Sequence, residues 1–198
     1  MRWLVSNSPK NPIRLYPLFV PLSKNPITSY YPLCLLILCA IFLVFTRLGY
    51  SALQIDEGGD TFVSNTILKH GLPHHSYGLN ETMVYADIYD GLFIYRTWFP
   101  YYLQALSILL LGKTTLAARL PFALVGIASI CAIYFLALKL THRTSIAFLS
   151  ALFMTFSVPT LLYFRTARYI ALPILLTILL LQFYLEIYED KKWRPLPF

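Results

Sequence analysis

Four stretches of the chain are apolar and long enough to cross a membrane as helices. They cover about residues 31–48, 116–138, 145–164 and 169–188, and more polar segments lie between them. About 20 apolar residues of α-helix cross the roughly 30 Å hydrocarbon layer of a bilayer. Backbone groups find no water in that layer, so each stretch is expected to be helical, with Pro159 and Pro173 bending the last two. The pattern predicts an all-α, polytopic transmembrane helix bundle.

A fifth apolar run, Trp98–Leu111, begins with aromatic residues and is short for a full crossing, since 14 residues of helix reach about 21 Å. We interpret it as an amphipathic juxtamembrane helix in a first outer loop over residues 51–115. A second such helix is predicted from Thr61 to Leu68. Its start is preceded by Gly58-Gly59 as a tight turn and Asp60 as N-cap, and Gly71-Leu72-Pro73 ends it.

The basic residues favour four spans with both chain termini in the cytoplasm. Lys and Arg are enriched on the cytoplasmic side of membrane proteins. Four spans place there the N-terminal segment 1–30, the turn containing Lys139 and Arg143, and the basic cluster Lys191–Arg194. Counting Trp98–Leu111 as a fifth span would export that cluster. We therefore expect a multi-pass protein of the plasma or inner membrane, anchored by an uncleaved first span, with the outer loop on the extracytoplasmic face.

The composition agrees with a lipid environment. Only 13% of the residues are charged and 58% are hydrophobic, whereas soluble domains average about 25% and 45–50%. These values exclude a disordered chain, a coiled coil and an ordinary cytosolic domain. The net charge of +7 is distributed according to membrane side, so we expect membrane lipid and no nucleic acid as a partner. The three cysteines fall inside the apolar stretches and indicate neither disulfides nor a metal site.

Acidic residues are concentrated in the outer loop. Six of the nine lie between Ser51 and Thr97: Asp56, Glu57, Asp60, Glu81, Asp87 and Asp90. Asp56 and Glu57 come just after the first span, near the boundary of water and hydrocarbon. Desolvation there would raise the pKa of a carboxylate and make it a better base, unless a cation offsets it. The alternative is that both residues merely solvate a loop.

Arg165 and Arg168 follow the third span and would emerge on the same outer side as Asp56. Two arginines three residues apart can share a helix face and bind a phosphate through charge-assisted hydrogen bonds. Exported arginines also run against the usual charge distribution. The alternative is that they reach towards lipid phosphates without a specific role.

A metal site is a weaker hypothesis. His70, His74 and His75 lie close together in the outer loop. Gly71 and Pro73 interrupt the helical spacing that would bring two histidines to one metal ion. A divalent metal is possible as a cofactor, but the spacing assigns no ligand set.

The order of these features resembles the N-terminal part of a GT-C type membrane glycosyltransferase, such as the protein O-mannosyltransferases and the lipid A aminoarabinose transferases. The resemblance extends from about Leu33 to Tyr188. Its motifs, each degenerate alone, occur in order: Asp56-Glu57, Gly71-Leu72-Pro73, Leu111-Gly112, Ala118-Arg119-Leu120-Pro121, Ser157-Val158-Pro159 and Arg165-Thr166-Ala167-Arg168-Tyr169.

The resemblance implies transfer of a sugar from a polyprenyl-phosphate carrier to an acceptor on the outer face. It implies that Asp56 is the catalytic residue and that Glu57 assists it or shapes the site. Arg165, Arg168 and Tyr169 would hold the carrier phosphate. The sugar and the acceptor stay undefined.

Two departures from the family pattern leave alternatives open. Aminoarabinose transferases have a second Asp after the third span, but no acidic residue occurs here between Asp90 and Glu186. A second carboxylate would come from the first loop, from sequence outside this chain, or would not exist. Relatives are also longer, so we expect part of a larger enzyme. The competing hypothesis is a non-catalytic membrane module that binds a lipid-linked sugar or a partner protein. A small transporter is disfavoured because the spans contain few charges apart from Lys139.

Overall fold

The computed structural model describes the backbone of residues 26–74 and 91–189. His75 and the cluster Lys191–Arg194 lie outside this part of the chain, as do residues 1–25. The described residues form seven helices: α1 Pro26–Phe45, α2 Ile55–His70, α3 Phe99–Leu111, α4 Thr115–Thr141, α5 Thr144–Phe156, α6 Val158–Arg165 and α7 Ala171–Glu189. One isolated β-bridge joins His74 and Leu92. The all-α prediction is confirmed for the described residues.

Helix α4 lies at the centre of the bundle. It packs against α1, α3, α5, α6 and α7. Its buried positions include small residues such as Ala118, Ala123 and Ser129, and Gly126 adjoins the ring of Phe164 on α6. Small side chains let neighbouring helix backbones approach closely, which is how helices associate in lipid.

Among the described helices, only Thr115–Thr141 is by itself long and apolar enough to cross a membrane. Helices α5 and α6 pass the same test together, but they are bent by 63° at their junction. The apolar parts of α1, α3 and α7 are shorter: Tyr31–Phe45, Phe99–Leu111 and Ala171–Ile187. The number of crossings therefore stays a prediction.

The two predicted proline bends have different outcomes. Pro159 lies in the first turn of α6, directly after the break at Ser157, so the third apolar stretch is bent as predicted. Pro173 lies in the first turn of α7, which begins at Ala171. A proline is tolerated there because the first N–H groups of a helix have no intrahelical acceptor. The predicted bend at Pro173 is therefore wrong.

Helix α2 begins earlier than the sequence pattern indicated. Its N-cap is Gln54, whose backbone N–H donates to the side chain of Glu57 at 2.9 Å. The predicted N-cap, Asp60, is instead a buried residue inside the helix, and Gly58-Gly59 are helical rather than a turn. The predicted end is confirmed, because Gly71 adopts a left-handed conformation with φ 78° and caps the helix.

A small second core attaches α2 to α3 and α4. Its apolar side chains are Val63, Ile67, Phe93, Tyr101 and Ala105. Buried Gln104 on α3 accepts from Ser64 Oγ at 2.6 Å and donates to Thr61 Oγ1 at 3.0 Å and to the Ala118 carbonyl at 3.2 Å. One amide therefore joins three helices and holds α2 against the bundle.

Large apolar side chains are exposed along several helices. Examples are Leu35, Leu38 and Phe42 on α1, Phe153 on α5, and Leu180 and Phe183 on α7. A soluble monomer rarely exposes so much contiguous apolar surface. The exposed apolar surfaces are consistent with a lipid environment.

The approach of α4 and α6 can be tested at Gly126. A Cβ atom added there would lie 2.3 Å from Cγ of buried Phe164. We expect Gly126→Ala to destabilise the protein by about 1–3 kcal/mol because the ring must move within a packed core. The measurement is the temperature at which detergent-solubilised protein loses its monodisperse elution peak.

The matched control is Gly59→Ala, on the exposed side of α2. No atom lies within 4 Å of the added Cβ. This change should leave stability equal or raise it by about 0.5–1 kcal/mol, since Ala favours a helix more than Gly does. Equal stability of the two variants would contradict the close packing.

Candidate active site

A buried ion pair lies at the base of the site. Arg119 of α4 donates from Nε to Glu57 Oε1 at 2.9 Å and from Nη2 to Oε2 at 2.7 Å. The Glu57 carboxylate also accepts the backbone N–H of Gln54, and that of Ala167 at 2.6 Å. Glu57 is 0% exposed and Arg119 is 5% exposed. Four donors thus surround one carboxylate, which leaves Glu57 little capacity for a substrate.

The remaining donors of Arg119 fix the chain between α1 and α2. Its Nη1 donates to the Leu48 carbonyl and to Ser51 Oγ, both at 2.9 Å, and its Nη2 donates to the Ala52 carbonyl at 3.0 Å. Burial alone would raise the pKa of Glu57, but the hydrogen bonds from Arg119 and the two backbone N–H groups lower it below its ordinary value. Glu57 is therefore a charged structural carboxylate in this site.

Asp56, the residue before Glu57, points elsewhere. Its side chain is 68% exposed and forms an ion pair with Nη1 of Arg168. Arg168 also places its Nε 3.8 Å from Asp60 Oδ2, and this buried Nε has no hydrogen-bond partner among the described residues. Asp56 and Arg168, which were predicted to lie on the same outer side, are thus in contact.

Asp60 lies on the buried side of the site. Its carboxylate accepts two hydrogen bonds from Arg96 Nη1, at 2.7 and 3.1 Å, and one from the Tyr101 hydroxyl at 3.2 Å. Burial raises the pKa of Asp60 despite the lowering effects of Arg96 and Tyr101. Burial and the charge of Asp60 raise the pKa of Tyr101 to about 12. The phenol therefore stays protonated at neutral pH.

An apolar groove adjoins this polar site at Tyr169. The Arg96 guanidinium lies over the Tyr169 ring, 4.8 Å from its centroid. Tyr169 also lines a groove of about 330 Å³ between the start of α3 and α7, whose walls include Leu172, Leu176 and Leu180. A ligand with a charged head and an apolar chain could contact both regions.

The structure separates Arg165 and Arg168, which were predicted to bind a phosphate together. Arg165 ends α6 and donates to the backbone carbonyls of Leu43 and Thr46, at the end of α1. Thr166 then takes an extended conformation, and Arg168 turns to Asp56. Of the five predicted site residues, Asp56, Arg168 and Tyr169 lie around one site, whereas Glu57 supports it and Arg165 contacts α1.

The family model for dolichyl-phosphate-mannose-protein mannosyltransferases matches residues 96–198, just over half of the chain. The chain belongs to this family. It is therefore identified at the family level as a membrane glycosyltransferase of GT-C type, as the order of the motifs indicated. No curated protein and no solved structure matches the chain significantly. The matched segment contains Arg96, Arg119 and Arg168 but begins after Asp56 and Asp60, so the roles of these acids depend on the geometry above.

Sequence reasoning missed the residues that hold the site together: Asp60, Arg96, Tyr101 and Arg119. One signal for Arg119 was present, because it is a charge inside a predicted apolar span. Placing such a charge in lipid costs free energy, so the charge requires a partner. Asp60 follows Asp56 by four residues, which is one helical turn, but that relation is visible only when α2 is known to begin before Asp56.

The described residues contain no group of three or more His, Cys, Asp or Glu side chains placed to hold a metal ion. His70 and His74 lie edge to face, with ring centroids 5.9 Å apart. His75 lies outside the described residues. The described residues therefore provide no set of ligands that would support the metal hypothesis.

The neighbouring carboxylates should differ sharply in their effect on stability. Glu57→Gln leaves the buried guanidinium of Arg119 without its counter-charge, which typically costs about 3–5 kcal/mol. Asp56→Asn changes an exposed side chain and should cost less than about 1 kcal/mol. Thermal unfolding of the purified variants in the same detergent measures the difference. Equal stabilities would show that the buried pair is not what holds α2 in place.

The pH dependence of stability should contain two opposed contributions. The lowered pKa of Glu57 means that its stabilisation is present above 4.5, its unperturbed value, and is lost as pH falls through the lower folded-state pKa. The raised pKa of Asp60 has the opposite sign, because its protonation between that pKa and 3.8 favours the folded state.

Removing the Asp60 contribution should therefore steepen acid destabilisation. We expect the melting temperature of Asp60→Asn to fall more than that of the wild type between pH 6 and pH 3.5, each relative to its own value at pH 6. A parallel or shallower decline would contradict the raised pKa of Asp60.

Proposed function

We propose that this protein transfers a sugar from a polyprenyl-phosphate donor to an acceptor hydroxyl on the extracytoplasmic face of the membrane. Family membership supports glycosyl transfer in a membrane. The observation that carries the proposal is the contact of exposed Asp56 with Arg168, beside buried Asp60. This contact supports the proposal that Asp56 is the base and that Arg168 binds the phosphate.

The proposed reaction begins with exchange of partners at Arg168. The donor phosphate competes with Asp56 for Nη1 of Arg168, while the buried Nε stays 3.8 Å from Asp60. Release from Arg168 frees the Asp56 carboxylate to accept a hydrogen bond from the acceptor hydroxyl. Substrate binding would thereby activate the catalytic residue.

The chemical step is a displacement at the anomeric carbon. Asp56 accepts the proton of the acceptor hydroxyl, whose oxygen forms a bond to that carbon. The bond between the carbon and the phosphate oxygen breaks, and the lipid phosphate leaves with the electron pair. Arg168 stabilises the charge that grows on the leaving phosphate. Arg96, which is paired with Asp60 and stacked on Tyr169, donates from near the same place.

The apolar groove beside Tyr169 supports a lipid donor. Its walls of Leu172, Leu176 and Leu180 suit the first isoprene units of a polyprenyl chain, while the head lies near Arg96 and Arg168. We further propose that α1, α4, the bent pair α5 and α6, and α7 cross the membrane. Both termini would then be cytoplasmic and α2 and α3 would lie at the outer interface.

Asp60 is our candidate for the second carboxylate. It comes from the first loop, which is one of the three alternatives that the sequence left open. Its two arginine neighbours indicate that it positions Arg96 and Arg168 rather than taking the acceptor proton. We propose that Glu57 and Arg165 position the site residues. Glu57 does so through its ion pair with Arg119, and Arg165 through its hydrogen bonds to the end of α1.

The decisive test replaces Asp56 by Asn. Membranes that contain the protein in its natural genetic context are supplied with radiolabelled polyprenyl-phosphate sugars, and transfer to endogenous acceptors is measured. Asp56→Asn should lower the rate at least about 100-fold, the usual minimum for loss of a general base. The variant should still accumulate in the membrane at the wild-type level.

Glu186→Gln is the matched control. Glu186 lies near Lys139, at 3.5 Å, where α7 meets the end of α4, remote from the site. Its removal should leave transfer unchanged. Full activity of Asp56→Asn would overturn the role of Asp56. Absence of transfer by the wild type from every sugar offered would favour the non-catalytic module that binds a lipid-linked sugar.

A further inference from the structure

A second cleft, which is positively charged, lies between the end of α1 and α6. It has a volume of about 280 Å³, and its polar lining includes Arg47, Ser51, Gln54, Arg165 and Thr166. None of its lining residues belongs to the group formed by Asp56, Asp60, Arg96, Arg168 and Tyr169. The lining also includes Arg119, the partner of Glu57, so the cleft adjoins the base of the candidate site but shares none of that group.

The charge of this cleft is not neutralised within the described part of the chain. Its third arginine, Arg119, is paired with Glu57, but no lining residue is acidic. Arg165 donates only to carbonyl oxygens there, and the Arg47 guanidinium lies 5.6 Å from the centroid of the exposed Tyr50 ring. Two positive charges thus face one cavity without a carboxylate, an arrangement that attracts an anion.

The backbone brings Arg47 to this place in an unusual conformation. Its φ is 54°, in the left-handed region that residues other than glycine rarely adopt. The turn follows α1 directly, and Arg165 binds two carbonyls of the same segment. Both guanidinium groups are consequently held beside the end of an apolar helix.

The other wall of the cleft is apolar and faces outwards. Val158, Leu161 and Leu162 of α6 form it, and Val158 is 68% exposed. A free inorganic anion would gain nothing from this wall, whereas the acyl chains of a lipid could lie along it. A volume near the lower end of the usual range for ligand pockets, about 300–1,000 Å³, suits a head group.

We propose that this cleft binds the phosphate head group of an anionic glycerophospholipid from the surrounding membrane. Arg47 and Arg165 contact the phosphate, Ser51 and Thr166 donate hydrogen bonds, and the acyl chains follow α6. The bound lipid would brace α6 against α1. The proposal does not depend on the transfer reaction proposed above.

The test compares lipids of equal chain length on the purified protein by native mass spectrometry. Phosphatidylglycerol should bind at lower concentration than phosphatidylcholine, which has no net charge. Arg47→Gln should weaken phosphatidylglycerol binding about tenfold, the effect of losing one charge-assisted hydrogen bond. This variant removes no contact of Arg165 with α1, so the fold should persist, as an unchanged melting temperature would verify.

Lys113→Gln is the matched control, since Lys113 is an exposed residue of equal charge that does not line the cleft. It should bind phosphatidylglycerol like the wild type, as should Asp56→Asn. Equal weakening by Lys113→Gln would overturn the proposal in favour of non-specific attraction to net charge. Wild-type binding by Arg47→Gln would overturn it as well.

Two competitors distinguish other sources of phosphate. Millimolar inorganic phosphate should not displace phosphatidylglycerol, because it lacks the acyl chains that contact α6. Polyprenyl monophosphate at equimolar concentration should not displace it either. Displacement by inorganic phosphate would overturn the lipid assignment, and displacement by polyprenyl monophosphate would assign the cleft to the sugar carrier.

Discussion

The buried ion pair between Glu57 and Arg119 connects three parts of the chain that are far apart in sequence. It joins the first turn of α2 to the start of α4, and the N–H of Ala167 attaches the segment after α6 to the same carboxylate. Each charge is withdrawn from water and is stable only while the other is present. Since Asp56 precedes Glu57 and Arg168 follows Ala167, this one junction also brings Asp56 and Arg168 into contact.

Helical geometry directs the acidic side chains of α2 to two different faces of the helix. Successive residues of an α-helix are about 100° apart around its axis, so Asp56 and Glu57 cannot face the same neighbour. Asp56 and Asp60 are four residues apart and lie on one face, where Arg168 approaches both. Glu57 faces α4 and is buried. The site therefore has one exposed carboxylate, which is the candidate base, and two buried carboxylates that pair with arginines.

Chain breaks and contacts between distant residues explain where the structure departs from the sequence-based predictions. The prediction that Arg165 and Arg168 share a helix face required a continuous helix. Helix α6 instead ends at Arg165, and the chain becomes extended at Thr166. Asp60 was interpreted as an N-cap because the helical spacing of apolar residues begins just after it, yet a capping interaction between Gln54 and Glu57 begins the helix six residues earlier. The partner of Arg119 was not predictable from local pattern, since Glu57 is 62 residues away.

Local patterns along the chain were enough to predict the adaptation to lipid, the helical character of the apolar stretches, the end of α2 at Gly71 and the glycosyltransferase family. These properties depend on local composition, periodicity and the order of short motifs. The pairing of the charges, by contrast, is visible only in the folded chain. The distinction between Asp56 and Glu57, the separation of Arg165 from Arg168, and the role of Asp60 all depend on burial and on contacts between distant segments, which no local pattern encodes.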